Sequence, residues 1–168
     1  MGVTAAQAAP KHAPPAHVVR MVTTRGVIII KLFPEAAPIS SANFEKLVRK
    51  GFYNGLTFHR ITDLGEPGNS KIVQGGDPQG TGQGGPGYNI KGEFKENGVN
   101  NPLVHDPGAV AMARSQSPDS AGSQFYICVN AVHELDGKYA VFGKVIKGLD
   151  VAGNLQIGDK MTSVTMVK

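Results

Sequence analysis

The sequence predicts a mainly β fold, and three observations carry the prediction. With 22 Gly and 11 Pro in 168 residues, the chain is punctuated by turns. Between the turn signals lie short runs rich in Val, Ile, Phe and Tyr, of strand rather than helix length. Helical periodicity is confined to one stretch after Pro38 and a brief one near Asp150. About eight short strands with one or two helices suggest a sandwich or a barrel.

Two β-branched runs, Val18 to Thr24 and Val27 to Phe33, flank Arg25-Gly26 and read as a hairpin. Pro34 ends the second run. A helix is expected from Pro38, suited to a first turn, to Lys50. Phe44, Leu47 and Val48 form its apolar stripe, Lys46, Arg49 and Lys50 complement its C-terminal dipole, and Gly51 stops it. Thr57 to Thr62 and Lys71 to Gly75 read as strands joined by the polar loop 63–70. The Gly, Pro and Asn-rich stretch 75–108 is a long irregular excursion, of the kind that is usually functional. Strands follow at 109–113, 124–129 and 140–146, then a helical turn near 150–154 and a closing strand near 162–167.

Residues 1–17 are rich in Ala, Pro and His without apolar periodicity, and read as a flexible tail on a domain spanning 18–168. A hydrophobic content of 40% suffices for one core, and the formal charge of +4 is scattered, which argues against a nucleic-acid surface. No run approaches the ~20 apolar residues of a membrane helix. The single cysteine, Cys128, lies in an apolar run and reads as a buried thiol. It fits a reducing compartment, so a cytoplasmic, monomeric protein is expected. Export, with a signal peptide already removed, is the alternative.

Strand parity sorts side chains to opposite faces. It groups Phe58 with Arg60, Ile72 with Gln74, and Gln124 with Tyr126 on mixed faces, leaving Ile61, Val73, Phe125 and Ile127 for the interior. A surface of one cation, two amides and several apolar groups suits an apolar ligand fixed by a few polar contacts. Periodicity alone does not show that the three strands adjoin.

Four motifs in series now carry a resemblance that spans Val18 to the C-terminus. Gly51-Phe-Tyr-Asn-Gly-Leu-Thr-Phe-His-Arg60, Val73-Gln-Gly-Gly-Asp77, Gly122-Ser-Gln-Phe-Tyr126, and Leu135-Asp-Gly-Lys138 with Val141-Phe-Gly143 resemble the signatures of the cyclophilins, a family of peptidyl-prolyl cis–trans isomerases. Met112-Ala-Arg-Ser115 and Gly84-Gly-Pro-Gly-Tyr88 look like its bacterial branch. The resemblance implies a closed antiparallel barrel of about eight strands capped by two helices. It also implies a groove for proline-containing peptides and unfolded chains. The family's catalytic arginine falls on Arg60 and its amide partner on Gln74. The proline pocket falls on Ile72, Tyr126 and Leu135, backbone contacts to the peptide on Arg114, and the neighbouring wall on Ala113, Gln124 and Gly82; Phe58, placed by parity, and Tyr139 complete the expected substrate-binding residues. No cofactor or metal is implied.

The sequence departs from the family in three ways. The link between Arg60 and Gln74 is longer, with Lys71 where an aromatic is usual. Tyr126 stands where Phe is usual. Glu134 and Tyr139 replace the Trp and His of many relatives, so weak cyclosporin binding is expected.

Isomerisation breaks no σ-bond but must cross a barrier of about 18–20 kcal/mol set by amide resonance. In the twisted state the proline nitrogen regains a lone pair, to which a guanidinium can donate at any physiological pH. Other motifs carry less. Gly80-Thr-Gly-Gln-Gly-Gly85 matches a dinucleotide fingerprint, but Pro86-Gly87 follows where a helix would have to begin. Ser123 lacks a nucleophile elbow, and His59, His105 and His133 lack zinc-ligand spacing. By parity His59 faces away from Arg60 and is expected to be packed or hydrogen-bonded. A module that binds proline segments without turnover is the alternative to an isomerase.

Overall fold

The described residues run through eight antiparallel strands and two α-helices in the order β1 (Val18–Thr23), β2 (Gly26–Leu32), α1 (Pro38–Arg49), β3 (Phe58–Asp63), β4 (Lys71–Gly75), β5 (Ala109–Met112), β6 (Phe125–Cys128), β7 (Val141–Lys147), α2 (Leu149–Asn154) and β8 (Met161–Met166). The structure is a computed structural model and describes residues 16–168. The expected tail therefore falls, over 1–15, outside the described residues. The β1–β2 hairpin forms as expected, although its turn is Thr24-Arg25, because Gly26 already pairs with Thr23.

The strands form one curled sheet in the order β3-β4-β6-β5-β7-β2-β1-β8. Its edge strands meet at one end only. Thr57 bridges Lys160, and Phe58 exchanges backbone hydrogen bonds with Asp159 and Gly158 at 2.9 and 3.0 Å. The barrel is thus closed at the start of β3 and β8 and open beyond.

The interior holds Met21, Ile28, Ile30, Val73, Val110, Phe125 and Ile127, all fully buried or nearly so. Helix α1 plugs one mouth. Phe44 lies 5.0 Å from Tyr53, 5.4 Å from Phe125 and 5.2 Å from Phe142, ring centre to ring centre. Burying one such ring contributes roughly 1.5–3 kcal/mol. The helix carries no cap of its own. Glu93, itself buried, reaches in from the long excursion to accept the N–H groups of Ile39 and Ser40. A carboxylate there satisfies two free donors and meets the positive end of the helix dipole.

A second apolar cluster lies on the outer face of β4, β5 and β6. Ile72, Ala109, Ala111, Tyr126, Cys128, Val132 and Val141 form it, with Leu64, Leu103, Ala113, Leu135 and Tyr139 packed at its margin. Sheets of this kind usually present polar residues outward. An apolar outer cluster flanked by polar side chains marks the place to look for a site.

Candidate active site

The site begins with the β3–β4 ladder. Phe58 pairs with Gly75, but the next pair is Arg60 with Gln74. His59 is the extra residue of a β-bulge, which breaks the two-residue alternation at that point. Phe58 and Ile61 consequently both pack against the interior, while Arg60 is exposed on the outer face. Here the structure corrects the parity reading: Phe58 is fully buried in the core and does not line the groove. The regular ladders β4–β6 and β5–β6 keep their parity, so Ile72, Gln74 and Tyr126 lie outward and Val73, Phe125 and Ile127 inward, as expected.

A directed chain of hydrogen bonds crosses the site. Arg60 Nη1 donates to Gln74 Oε1 at 3.1 Å, Gln74 Nε2 donates to Gln124 Oε1 at 3.0 Å, and Gln124 Nε2 donates to the carbonyls of Gly82 and Gly84, both at 2.9 Å. Guanidinium only donates and carbonyl oxygen only accepts, so the two ends fix the orientation of both amides. The partner of Arg60 is neutral, and none of the ion pairs among the described residues includes Arg60. Its charge is therefore oriented without being neutralised.

Asp77 anchors the far end of that chain. It is 1% exposed and accepts N–H bonds from Gln79, Thr81, Gly82 and Gly84 at 2.8, 3.0, 2.6 and 3.1 Å. Burial opposes its ionisation, but the four donors outweigh burial and hold its carboxyl down at about 2. The carboxylate thereby sets the loop that carries the Gly82 and Gly84 carbonyls. In the sequence Asp77 stands only as the end of a motif. The available signal was an Asp followed by Pro78, Gln79 and Gly80, an Asx-turn pattern.

Gly76 joins this anchor to β4 at φ 93°, and a Cβ there would lie 2.5 Å from the Ser123 carbonyl oxygen. Only glycine fits such a position. Ser123 spends its hydroxyl on the Gly76 carbonyl at 2.7 Å, a structural bond rather than a nucleophile's.

On one side of the Gln74–Gln124 bridge lies a groove of about 700 Å³, lined by the 82–89 loop, Ala113–Ser115 and Gly122–Gln124. On the other lies the outer apolar cluster, which brings together the expected Ile72, Tyr126, Leu135, Tyr139 and Ala113. The Arg114 guanidinium stacks over Tyr139 at 4.4 Å and Phe94 at 4.9 Å and donates to the Lys138 carbonyl at 2.6 Å, bracing the wall between the two regions. Gln74 lines the groove and pairs across strands with Tyr126 of the cluster, and Arg60 pairs with Gln74.

The inserted loop prolongs the β3–β4 hairpin. Leu64 N–H donates to the Ser70 carbonyl at 3.1 Å, Gly65 N–H to Ser70 Oγ at 2.8 Å, and Ser70 Oγ to the Glu66 carbonyl at 2.8 Å. The loop delivers Leu64 to the margin of the apolar cluster, and Gly65 lies against the Glu134 carboxylate. Lys71, in place of the usual aromatic, donates to the Gly153 carbonyl at 2.7 Å and ties the hairpin to α2. His59 is packed as expected, yet neither ring nitrogen has a hydrogen-bond partner among the described residues.

Comparison with known proteins identifies the family and the fold. The family described as cyclophilin type peptidyl-prolyl cis-trans isomerase matches residues 18–168. Peptidyl-prolyl cis-trans isomerase B of Bacillus subtilis is 49% identical over 137 residues, covering 82% of this chain and 88% of that protein. A peptidyl-prolyl cis-trans isomerase of Helicobacter pylori is 41% identical over 144 residues, covering 84% and 82%. Among solved structures, a cyclophilin-type isomerase of Cryptosporidium parvum, crystallised in the presence of the dipeptide Ala-Pro, superposes with a TM-score of 0.77 at 30% identity, covering 90% of this chain and 99% of that one. A cyclophilin of Hirschia baltica gives 0.75 at 28% identity, covering 90% and 74%. This chain belongs to the cyclophilin-type peptidyl-prolyl cis-trans isomerase family.

Proposed function

We propose that the chain accelerates rotation about Xaa-Pro bonds in folding proteins through Arg60, with Gln74 holding the arginine and the Ile72–Tyr126–Leu135 cluster holding the proline ring. One observation carries this reading: a charged, exposed guanidinium, oriented by a neutral amide, stands beside an apolar pocket.

The chemistry follows from what changes during rotation. As the amide twists, the proline nitrogen loses conjugation and becomes a hydrogen-bond acceptor. The Gln74 contact occupies one of the five guanidinium donors of Arg60 and leaves the others for substrate. A donor fixed in advance favours the twisted amide over the planar one, and only such differential binding speeds the reaction. Had a carboxylate stood at Gln74, the charge would be spent within the protein. The apolar pocket supplies ring burial in both ground and twisted states, and so binding rather than rate. Cyclosporin, if bound, meets Glu134 at the rim in place of an aromatic surface, and we propose that it binds weakly.

The test compares isomerisation of an Ala-Pro tetrapeptide by wild type and Arg60→Ala. Loss of a preorganised donor lowers kcat/KM by about 10²–10³-fold. Wild-type rates in a folded Arg60→Ala protein would overturn the assignment. Arg60→Lys is expected to recover little, because an ammonium cannot both meet Gln74 and present a fixed donor to the substrate.

A further inference from the structure

Tyr126 is the floor of the apolar cluster, and its hydroxyl does not point to solvent. The residue is 3% exposed, and the hydroxyl lies 2.8 Å from Nε2 of His105, a fully buried histidine whose ring stacks on it at 5.9 Å and 11°. On its other side, Nδ1 of His105 lies 2.9 Å from Asp136 Oδ1, which also accepts the His105 backbone N–H at 2.7 Å. Asp136 follows Leu135, the expected pocket wall, directly in the chain. Its second oxygen meets His133 Nδ1 at 2.8 Å, and His133 Nε2 lies 3.4 Å from Asp106.

Chemistry fixes the polarity of this chain. Asp136 is held ionised: burial opposes this, but its bonds from His105 and His133 outweigh it. An ionised carboxylate only accepts, so the proton of a neutral His105 sits on Nδ1. Nε2 then offers a lone pair, and the Tyr126 hydroxyl must donate to it.

We propose that His105 is a positioning residue for the isomerase: by accepting the Tyr126 hydroxyl and donating to Asp136, it locks the pocket floor to the Leu135 wall. This rests on reading the Ile72–Tyr126–Leu135 cluster as the proline site. A phenylalanine floor has no such bond to make.

Protonating His105 breaks the arrangement. Both ring nitrogens then donate, the hydroxyl must turn away, and its proton is left without that acceptor in a buried place. The surrounding groups leave this event visible. Burial pushes Tyr126 well above its ordinary value and Cys128 up to about 12, so both stay neutral. Glu134 and Asp106 are the other nearby carboxylates, Tyr139 packs on the far edge of Tyr126, and Arg114 is the nearby cation. The two histidines separate. Burial holds His105 below 6.5 against the pull of Asp136, while the Asp136 hydrogen bond holds exposed His133 above it.

The experiment measures kcat and KM for an Ala-Pro tetrapeptide against pH in wild type, Tyr126→Phe and His133→Gln, with His105 titration followed by NMR. In wild type, KM is expected to rise about fivefold, equivalent to ~1 kcal/mol, as pH falls through the His105 titration, with kcat kept. Tyr126→Phe has a raised KM at neutral pH and no acid limb. His133→Gln keeps the limb and moves it to higher pH, because a cationic neighbour no longer opposes protonation of His105. A limb unchanged in Tyr126→Phe, or a flat wild-type KM while His105 titrates, would overturn the proposal. A peptide titration that leaves Ile72, Tyr126 and Leu135 resonances unmoved would instead remove the proline-site reading beneath it.

Discussion

Arg60 and Gln74 stand opposite each other in the β3–β4 register, and the bulge at His59 is what puts them there. Were His59 a regular strand residue instead of a bulge, the alternation that buries Phe58 would carry Arg60 inward with it. The cation and its amide partner therefore share the outer face through a local irregularity in an otherwise regular ladder.

The first prediction concerns that amide. Gln74→Ala removes the link to both Arg60 and Gln124 and frees the guanidinium to sample other rotamers. A loss of about tenfold in kcat/KM is expected, the equivalent of ~1.4 kcal/mol. Gln74→Glu pairs the arginine with a charge and is expected to be at least as damaging. Peptide isomerisation rates check both.

Asp77 gives a pH dependence with a definite sign. Its folded-state carboxyl is near 2, against 3.8 without the fold. The contribution to stability is fully present above about 3.8 and is lost as pH falls towards 2. Its size is about 2 kcal/mol, from the drop from 3.8 to about 2 at 1.36 kcal/mol per pH unit. Urea midpoints at pH 7 and pH 2 measure it. Asp77→Asn, which sets an amide N–H against backbone donors, should be less stable at pH 7 and lose this part of the acid dependence.

Leu64 tests the inserted loop. It reaches the edge of the apolar cluster from a hairpin tip stitched to itself by Ser70. Leu64→Ala is expected to raise KM for proline peptides several-fold, about 1 kcal/mol of lost contact, with kcat and melting temperature nearly unchanged. Steady-state kinetics beside a thermal melt separates this outcome from general loosening.

Cys128 should be chemically silent in the native state. It is fully buried in the outer cluster, and burial pushes its thiol up to about 12. A thiol without thiolate character reacts slowly. Native protein is expected to resist a disulfide reagent that modifies it at once in denaturant; rapid native labelling would show that the cluster opens.

Much of this was legible in the sequence because strand and helix periods leave direct marks. The β4 boundaries, the core of α1 from Phe44 to Val48, and the inward and outward sets of β4 and β6 all follow from period alone. What failed was local. Parity assigned Phe58 to the groove because a one-residue bulge leaves no trace in an apolar-polar pattern. His105 has no metal-ligand spacing, and its contact with a tyrosine 21 positions away leaves no mark in the sequence. The Glu93 cap on α1 bridges more than fifty positions. Such contacts are set by tertiary folding, and periodicity carries no information about them.

The β3–β4 hairpin beyond Asp63 and Lys71 closes its hydrogen bonds on itself, while the Arg60–Gln74 pairing lies below that last rung. Length can therefore change at the tip without sliding the Arg60–Gln74 pair out of register. The hairpin behaves as a replaceable cartridge: a lineage can exchange it to retune which peptides fit, and an engineer can graft a sensor or binding loop there, while the machinery beneath stays as it is.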